Sequence, residues 1–165
     1  MNAINTEKDF VKLINENQGL IHKVCLMYER DDENRKDLFQ EIVLQLWRSF
    51  HSYKGEAKIT TWMYRIALNT AISSLRKTSS KPESTDIDDL QFQIAEDGES
   101  ALRREQFQML ETAINQLNEI EKAIVMLYLD EIPYEEIGET IGITQNNVRV
   151  KMNRIREKLK SIITA

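Results

Sequence analysis

The sequence predicts an all-α chain: two small helical domains joined by a flexible acidic linker, the second domain carrying a helix-turn-helix. Three observations lead there. Gly and Pro are scarce, five and two in 165 residues, while apolar residues recur at helical spacing. That spacing lapses over KTSSKPESTDIDDLQFQIAEDGES, which holds a proline, many Ser, Thr, Asp and Glu, and too few apolar residues for a core. It resumes near Ala101, and a glycine-containing turn later separates a short amphipathic segment from a longer one. The expected layout is residues 1–79 as the first domain, 80–104 as the linker and 105–165 as the second domain.

In the first domain the helical pattern runs from about residue 6 to 77, interrupted near Ser52–Lys58. RKDLFQEIVLQLWRSF directs Leu38, Phe39, Ile42, Val43, Leu46 and Phe50 inward, with Asp37, Gln40, Glu41, Leu44 and Arg48 on the outer side. A leucine ringed by charges suits a partner-docking face, and equally an ordinary surface leucine. Downstream, Thr60 or Thr61 is expected to cap a helix beginning at Trp62. Its buried stripe is Tyr64, Ala67, Leu68, Ala71 and Leu75; Trp62, Arg65, Asn69, Ser73 and Arg76 lie opposite. An indole beside arginines and an asparagine makes a stacking platform for unpaired bases, with Lys54 and Lys58 adding charge from the preceding loop. The competing reading folds Trp62 back onto its own domain.

In the second domain, Pro133 suits a first helical turn and Glu135 and Glu136 complement its dipole. Ile137 and Ile141 give that short helix an apolar face, Gly142 ends it, and Thr144 caps the next helix. At about 100° per residue, Val148, Met152, Ile155, Leu159 and Ile162 share one inward stripe. Asn146, Asn147, Arg149, Val150, Asn153 and Arg154 face away. Asn pairs well with adenine, Arg with guanine, and an exposed Val with a thymine methyl in the major groove. Lys158 and Lys160, further along, suit phosphates.

The net charge of −5 argues against a nucleic-acid partner until its distribution is read. Residues 82–105 carry eight acidic and two basic side chains, whereas six of the seven basic residues after 105 fall between Arg149 and Lys160. DNA responds to local potential within about 10 Å, so this basic helix outweighs the average. The single cysteine, Cys25, excludes an internal disulfide framework and reads as a small buried hydrophobe. No signal peptide opens the sequence and no apolar run approaches the roughly 20 residues of a membrane span, so a cytoplasmic protein is expected. No P-loop, dinucleotide fingerprint, zinc spacing or nucleophile elbow occurs, and no cofactor or metal is expected. His22 and His51 are isolated, and Asp31, Asp32 and Glu33 read as a solvated helix start.

These segments together resemble the extracytoplasmic-function (ECF) sigma factors of RNA polymerase. KDLFQEIVLQLWRSF is similar to a helix of the family's promoter-melting domain, YKGEAKITTWMYRIALN to the loop and helix that follow, and YEEIGETIGITQNNVRVKMNRIREKL to the second DNA-binding domain. The resemblance implies a promoter-recognition subunit rather than an enzyme. Asp37, Leu38, Gln40, Glu41 and Leu44 would bind the clamp of the largest polymerase subunit. Lys54, Lys58, Trp62, Arg65, Asn69, Ser73 and Arg76 would read and open the −10 element. Asn146, Asn147, Arg149, Val150, Asn153, Arg154 and Lys158 would meet the −35 element. The linker would thread toward the active-site channel, and an anti-sigma factor is a possible further partner. The chain departs from the family pattern at Asn146 and Asn147 (often Gly-Thr), Val150 (often small and polar), Asn118 (often Pro) and Gly138 (often Ala). A different −35 preference on the same fold follows from this. The rival readings are a helix-turn-helix regulator acting without polymerase and a helical interaction protein without DNA contact.

Overall fold

A computed structural model describes residues 7–78 and 101–164. The linker residues 80–100, and with them the acidic stretch, lie outside the described residues. Among those described are eight helices and no strand. The chain divides into two compact units, Met1–Ser84 and Thr85–Ala165.

The first unit holds α1 (Glu7–Glu16), α2 (Gln18–Tyr28), α3 (Asp32–Phe50) and α4 (Ile59–Thr78). Asn17 interrupts the first two helices, its side-chain amide donating back to the Leu13 carbonyl at 2.9 Å. The Asp31 carboxylate caps α3 by accepting from the Asn34 amide at 3.2 Å, so the expected acidic helix start is what forms. Arg35 pairs with Asp32 and reaches the carbonyls of Glu29 and Arg30, stitching the α2–α3 turn. α2, α3 and α4 pack pairwise. Ile21, Val24, Ile42, Leu46, Phe50, Met63 and Ala67 are almost fully buried between them. α1 is fastened by Phe10, whose ring lies 5.0 Å from Trp47 and 5.3 Å from Phe50. Cys25 is 1% exposed in this core.

Two expectations are corrected here. α4 begins a turn earlier than the threonines suggested, because the Trp62 amide already donates to the Lys58 carbonyl at 3.1 Å. Thr61 is therefore a buried residue within the helix rather than its cap. The buried arc of α4 also takes in Met63 and Ile72, because α2 and α3 both cover it, while Leu75 is only half-buried.

The second unit holds α5 (Ala101–Asn115), α6 (Glu119–Leu129), α7 (Tyr134–Ile141) and α8 (Gln145–Thr164). Residues 101–104, assigned above to the linker, are thus the start of α5. Asn118 and Glu121 form a reciprocal cap on α6, with bonds of 2.8 and 2.9 Å. This explains how the chain opens α6 without a proline. α8 packs against α5, α6 and α7 through Val148, Met152 and Ile155, all buried, with Leu159 and Ile162 half-buried.

Candidate nucleic-acid interface

The turn between α7 and α8 forms as its residues require. Gly142 takes φ 89°, ψ 34°, a left-handed conformation that costs a side-chain-bearing residue free energy. The amides of Gly142 and Ile143 both donate to the Gly138 carbonyl, at 2.7 and 3.0 Å. The turn then lies so close to α7 that a Cβ on Gly138 would meet the Ile143 carbonyl at 2.6 Å. The Thr144 hydroxyl accepts from the Asn147 amide at 3.1 Å and launches α8. From that fixed start Asn146, Asn147, Arg149, Val150, Asn153 and Arg154 are all exposed, with Val150 40% accessible. They form one polar and basic surface around a single apolar side chain.

The structure divides the basic cluster. Arg149, Lys151 and Arg154 make no ion pair with another described residue. Lys158 does: its ammonium donates to Glu121 at 3.2 Å, which draws it toward α6 and away from the phosphate role its position suggested. Arg156 turns toward two tyrosines instead. Lys151 was missed by the sequence reading, although its i, i+4, i+7 relation to Asn147 and Arg154 places the three on one line of the helix.

In the first unit the outer line of α4 is as expected for Arg65, Asn69, Ser73 and Arg76, all exposed, as are Lys54 and Lys58. Trp62 is corrected. Its indole does not stand free in water but is half-buried, 5.2 Å from the Tyr53 ring and 6.3 Å from Phe50. The neighbouring rings offer more contact than water does, so the folded-back reading holds in part and the rest of the side chain stays accessible. Tyr53, also missed, fixes the loop: its hydroxyl donates to the Ala57 carbonyl at 2.6 Å, closing the turn around Lys54–Glu56.

On α3, Asp37, Gln40, Glu41 and Leu44 are exposed, and Gln45 donates to Glu41 at 2.9 Å. Leu38 is 6% exposed and belongs to the core, so it supports this face from beneath and cannot touch a partner. Trp47, a turn beyond Leu44 and also partly exposed, widens the apolar part of the face. Among the described residues no cluster of His, Cys, Asp and Glu could hold a metal, and no helix is long and apolar enough to cross a membrane.

Two helical units, the second with a helix-turn-helix whose exposed face carries Asn and Arg, define the class: an all-α protein built around a helix-turn-helix. Residues 13–81 match the family described as Sigma-70 region 2, and residues 107–159 match Sigma-70, region 4. The ECF RNA polymerase sigma-E factor of Escherichia coli K12 is 30% identical over 151 residues, covering 84% of this chain and 79% of that protein. The factor of the same description from Haemophilus influenzae is 29% identical, covering 77% and 73%. The chain belongs to the ECF sigma factors, a family of regulatory proteins.

Solved structures agree on the fold. The sigma factor RpoE in complex with the anti-sigma factor NepR, from Bartonella quintana, has a TM-score of 0.74 at 18% identity, over 96% of this chain and 98% of that one. CnrH in complex with the cytosolic domain of CnrY gives 0.69 at 14% identity, over 96% and 90%.

Proposed function

We propose that this chain joins core RNA polymerase, directs it to promoters and promotes their opening, without a catalytic step of its own. In this reading residues 1–79 dock on polymerase and melt DNA, the helical unit that begins with α5 at Ala101 reads the −35 element, and the residues between connect them. The observation that carries it is the outward face of α8, where Asn146, Asn147, Arg149, Val150, Asn153 and Arg154 are all exposed behind a capped turn, as a groove-reading helix requires. The exposed line Arg65–Asn69–Ser73–Arg76 on α4, with Lys54, Lys58 and the accessible part of Trp62, would hold the single strand of the −10 element. The charged face of α3 around Leu44 would meet the clamp of the largest polymerase subunit. Both solved neighbours were captured with a partner protein, one of them described as an anti-sigma factor, which supports an inhibitor of that kind here too. On this reading the chain works in the cytoplasm, beside the polymerase.

Run-off transcription with core polymerase on a promoter library tests the reading. The chain should select a defined pair of −35 and −10 sequences. Arg149→Ala or Asn146→Ala should change the −35 choice, each lost base contact being worth about 1–3 kcal/mol. If the chain neither elutes with core polymerase nor alters start-site selection, the proposal fails.

A further inference from the structure

The basic residues at the end of α8 look, in sequence, like a continuation of the DNA surface. Two of them, Arg156 and Lys158, are employed elsewhere. One Nη of Arg156 donates to the Tyr128 hydroxyl at 3.1 Å and to the Tyr134 hydroxyl at 3.3 Å, and the guanidinium carbon lies 5.3 Å from the centre of the Tyr128 ring. The two tyrosine rings are themselves 6.2 Å apart. The bond to Tyr128, with Tyr134 beside it, holds the guanidinium above the ordinary arginine range.

Tyr128 stands at the C-terminal end of α6 and Tyr134 opens α7, so this cation ties three helices together. Lys158, two residues on and about 200° around the helix, reaches Glu121 in the first turn of α6. α8 is thus fastened to both ends of α6, from opposite flanks. The apolar stripe between the two fastenings, Val148, Met152 and Ile155, is non-directional and would let α8 rock. Hydrogen bonds on both flanks resist that rocking.

We propose that Arg156, held by Tyr128 and Tyr134 and opposed by the Lys158–Glu121 pair, is a positioning residue that sets the angle at which α8 presents its reading face to DNA. The inference rests on the assignment of α8 to the −35 groove. Asn146 lies ten residues from Arg156, about 15 Å along the axis at ~1.5 Å per residue. A tilt of about 10° at the fastening would move Asn146 by ~2.6 Å, enough to break a hydrogen bond to a base edge. Lysine reproduces the contact poorly, because its shorter side chain lacks the planar guanidinium that lies over the Tyr128 ring while one nitrogen bonds both hydroxyls.

The test uses the full chain with core polymerase and promoters randomised over the −35 hexamer, followed by salt titration on the best sequence selected. Arg156→Lys and the double variant Tyr128→Phe/Tyr134→Phe should each lower discrimination among −35 sequences at least threefold. Both should leave the slope of log affinity against log salt unchanged, since neither removes a phosphate contact. Arg154→Ala, the comparison, should reduce that slope by about one. The proposal is overturned if Arg156→Lys keeps wild-type selectivity, or if Arg156→Ala reduces the slope while the Phe pair has no effect. The wild-type arm separately tests the reading of α8, for absence of any −35 preference there would sink that reading. In that event hydrogen exchange of the free chain still decides the grip: the Phe pair must speed exchange in α6–α8 at least threefold, and unchanged rates would overturn it.

Discussion

Cys25 shows what burial does to one side chain. It sits in α2 at 1% exposure, and desolvation pushes its thiol up to about 11, with Arg35 pulling weakly the other way. The folded chain therefore keeps its proton where the unfolded chain would lose it. The stabilisation is fully present below the unfolded value near 9 and is lost as pH rises through about 11. Denaturant titrations should show stability falling between pH 9 and 11 by at most ~1.4 kcal/mol per unit from this group, and Cys25→Ala should remove that slope. Equal slopes in the two proteins would contradict the assignment. Trp62 is the second case. Because its ring is half-buried beside Tyr53 and Phe50, Trp62→Ala should cost the first unit about 1–3 kcal/mol as well as impair opening. Trp62→Phe keeps a ring against its neighbours but offers less surface to a base. Permanganate footprints of the bubble should weaken with Trp62→Phe while thermal unfolding changes little. An unaffected bubble would remove the stacking role.

At the scale of elements the α7–α8 turn is the informative piece. Gly138 is inside a helix, where alanine would ordinarily gain up to about 1 kcal/mol. Here the added methyl meets a backbone carbonyl at 2.6 Å, and that carbonyl belongs to the turn that orients α8. Overpacking against backbone costs about 1–3 kcal/mol, so the clash wins. Gly138→Ala should lower the melting temperature of the second unit by several degrees, at roughly 4–8 °C per kcal/mol for a unit of this size. A variant as stable as the parent would show that the turn can open at no cost. The reciprocal Asn118–Glu121 cap has a second consequence, because the same Glu121 oxygen also receives Lys158. The start of α6 and the flank of α8 are thereby joined at one carboxylate.

At the scale of the molecule, each unit buries its own core, so surface changes in one should spare the other. Leu44 is 39% exposed on the charged face of α3 and contributes little to folding. Leu44→Arg should leave thermal unfolding and duplex −35 binding unchanged. It should weaken association with core polymerase by about tenfold or more, the 1.4 kcal/mol or greater expected of an apolar anchor at a docking site. Wild-type affinity for polymerase would place the docking face elsewhere.

Periodicity and caps are local properties, and apart from the threonine cap expected of α4 they were legible. The amphipathic stripe of α8, the left-handed Gly142, the Thr144 cap and the Asp31 helix start follow from which residues neighbour one another along the chain. The order of the two family segments was legible for the same reason. What the tertiary structure alone decided is which polar side chains remain available once helices pack. Trp62 finds Tyr53 and Phe50, Lys158 is drawn to a carboxylate 37 residues away, and Arg156 is taken by two tyrosines more than 20 residues upstream. A helical projection gives the direction of a side chain from its own axis. Whether water, a neighbouring helix or DNA lies in that direction depends on contacts distant in sequence, and only the packed fold determines them.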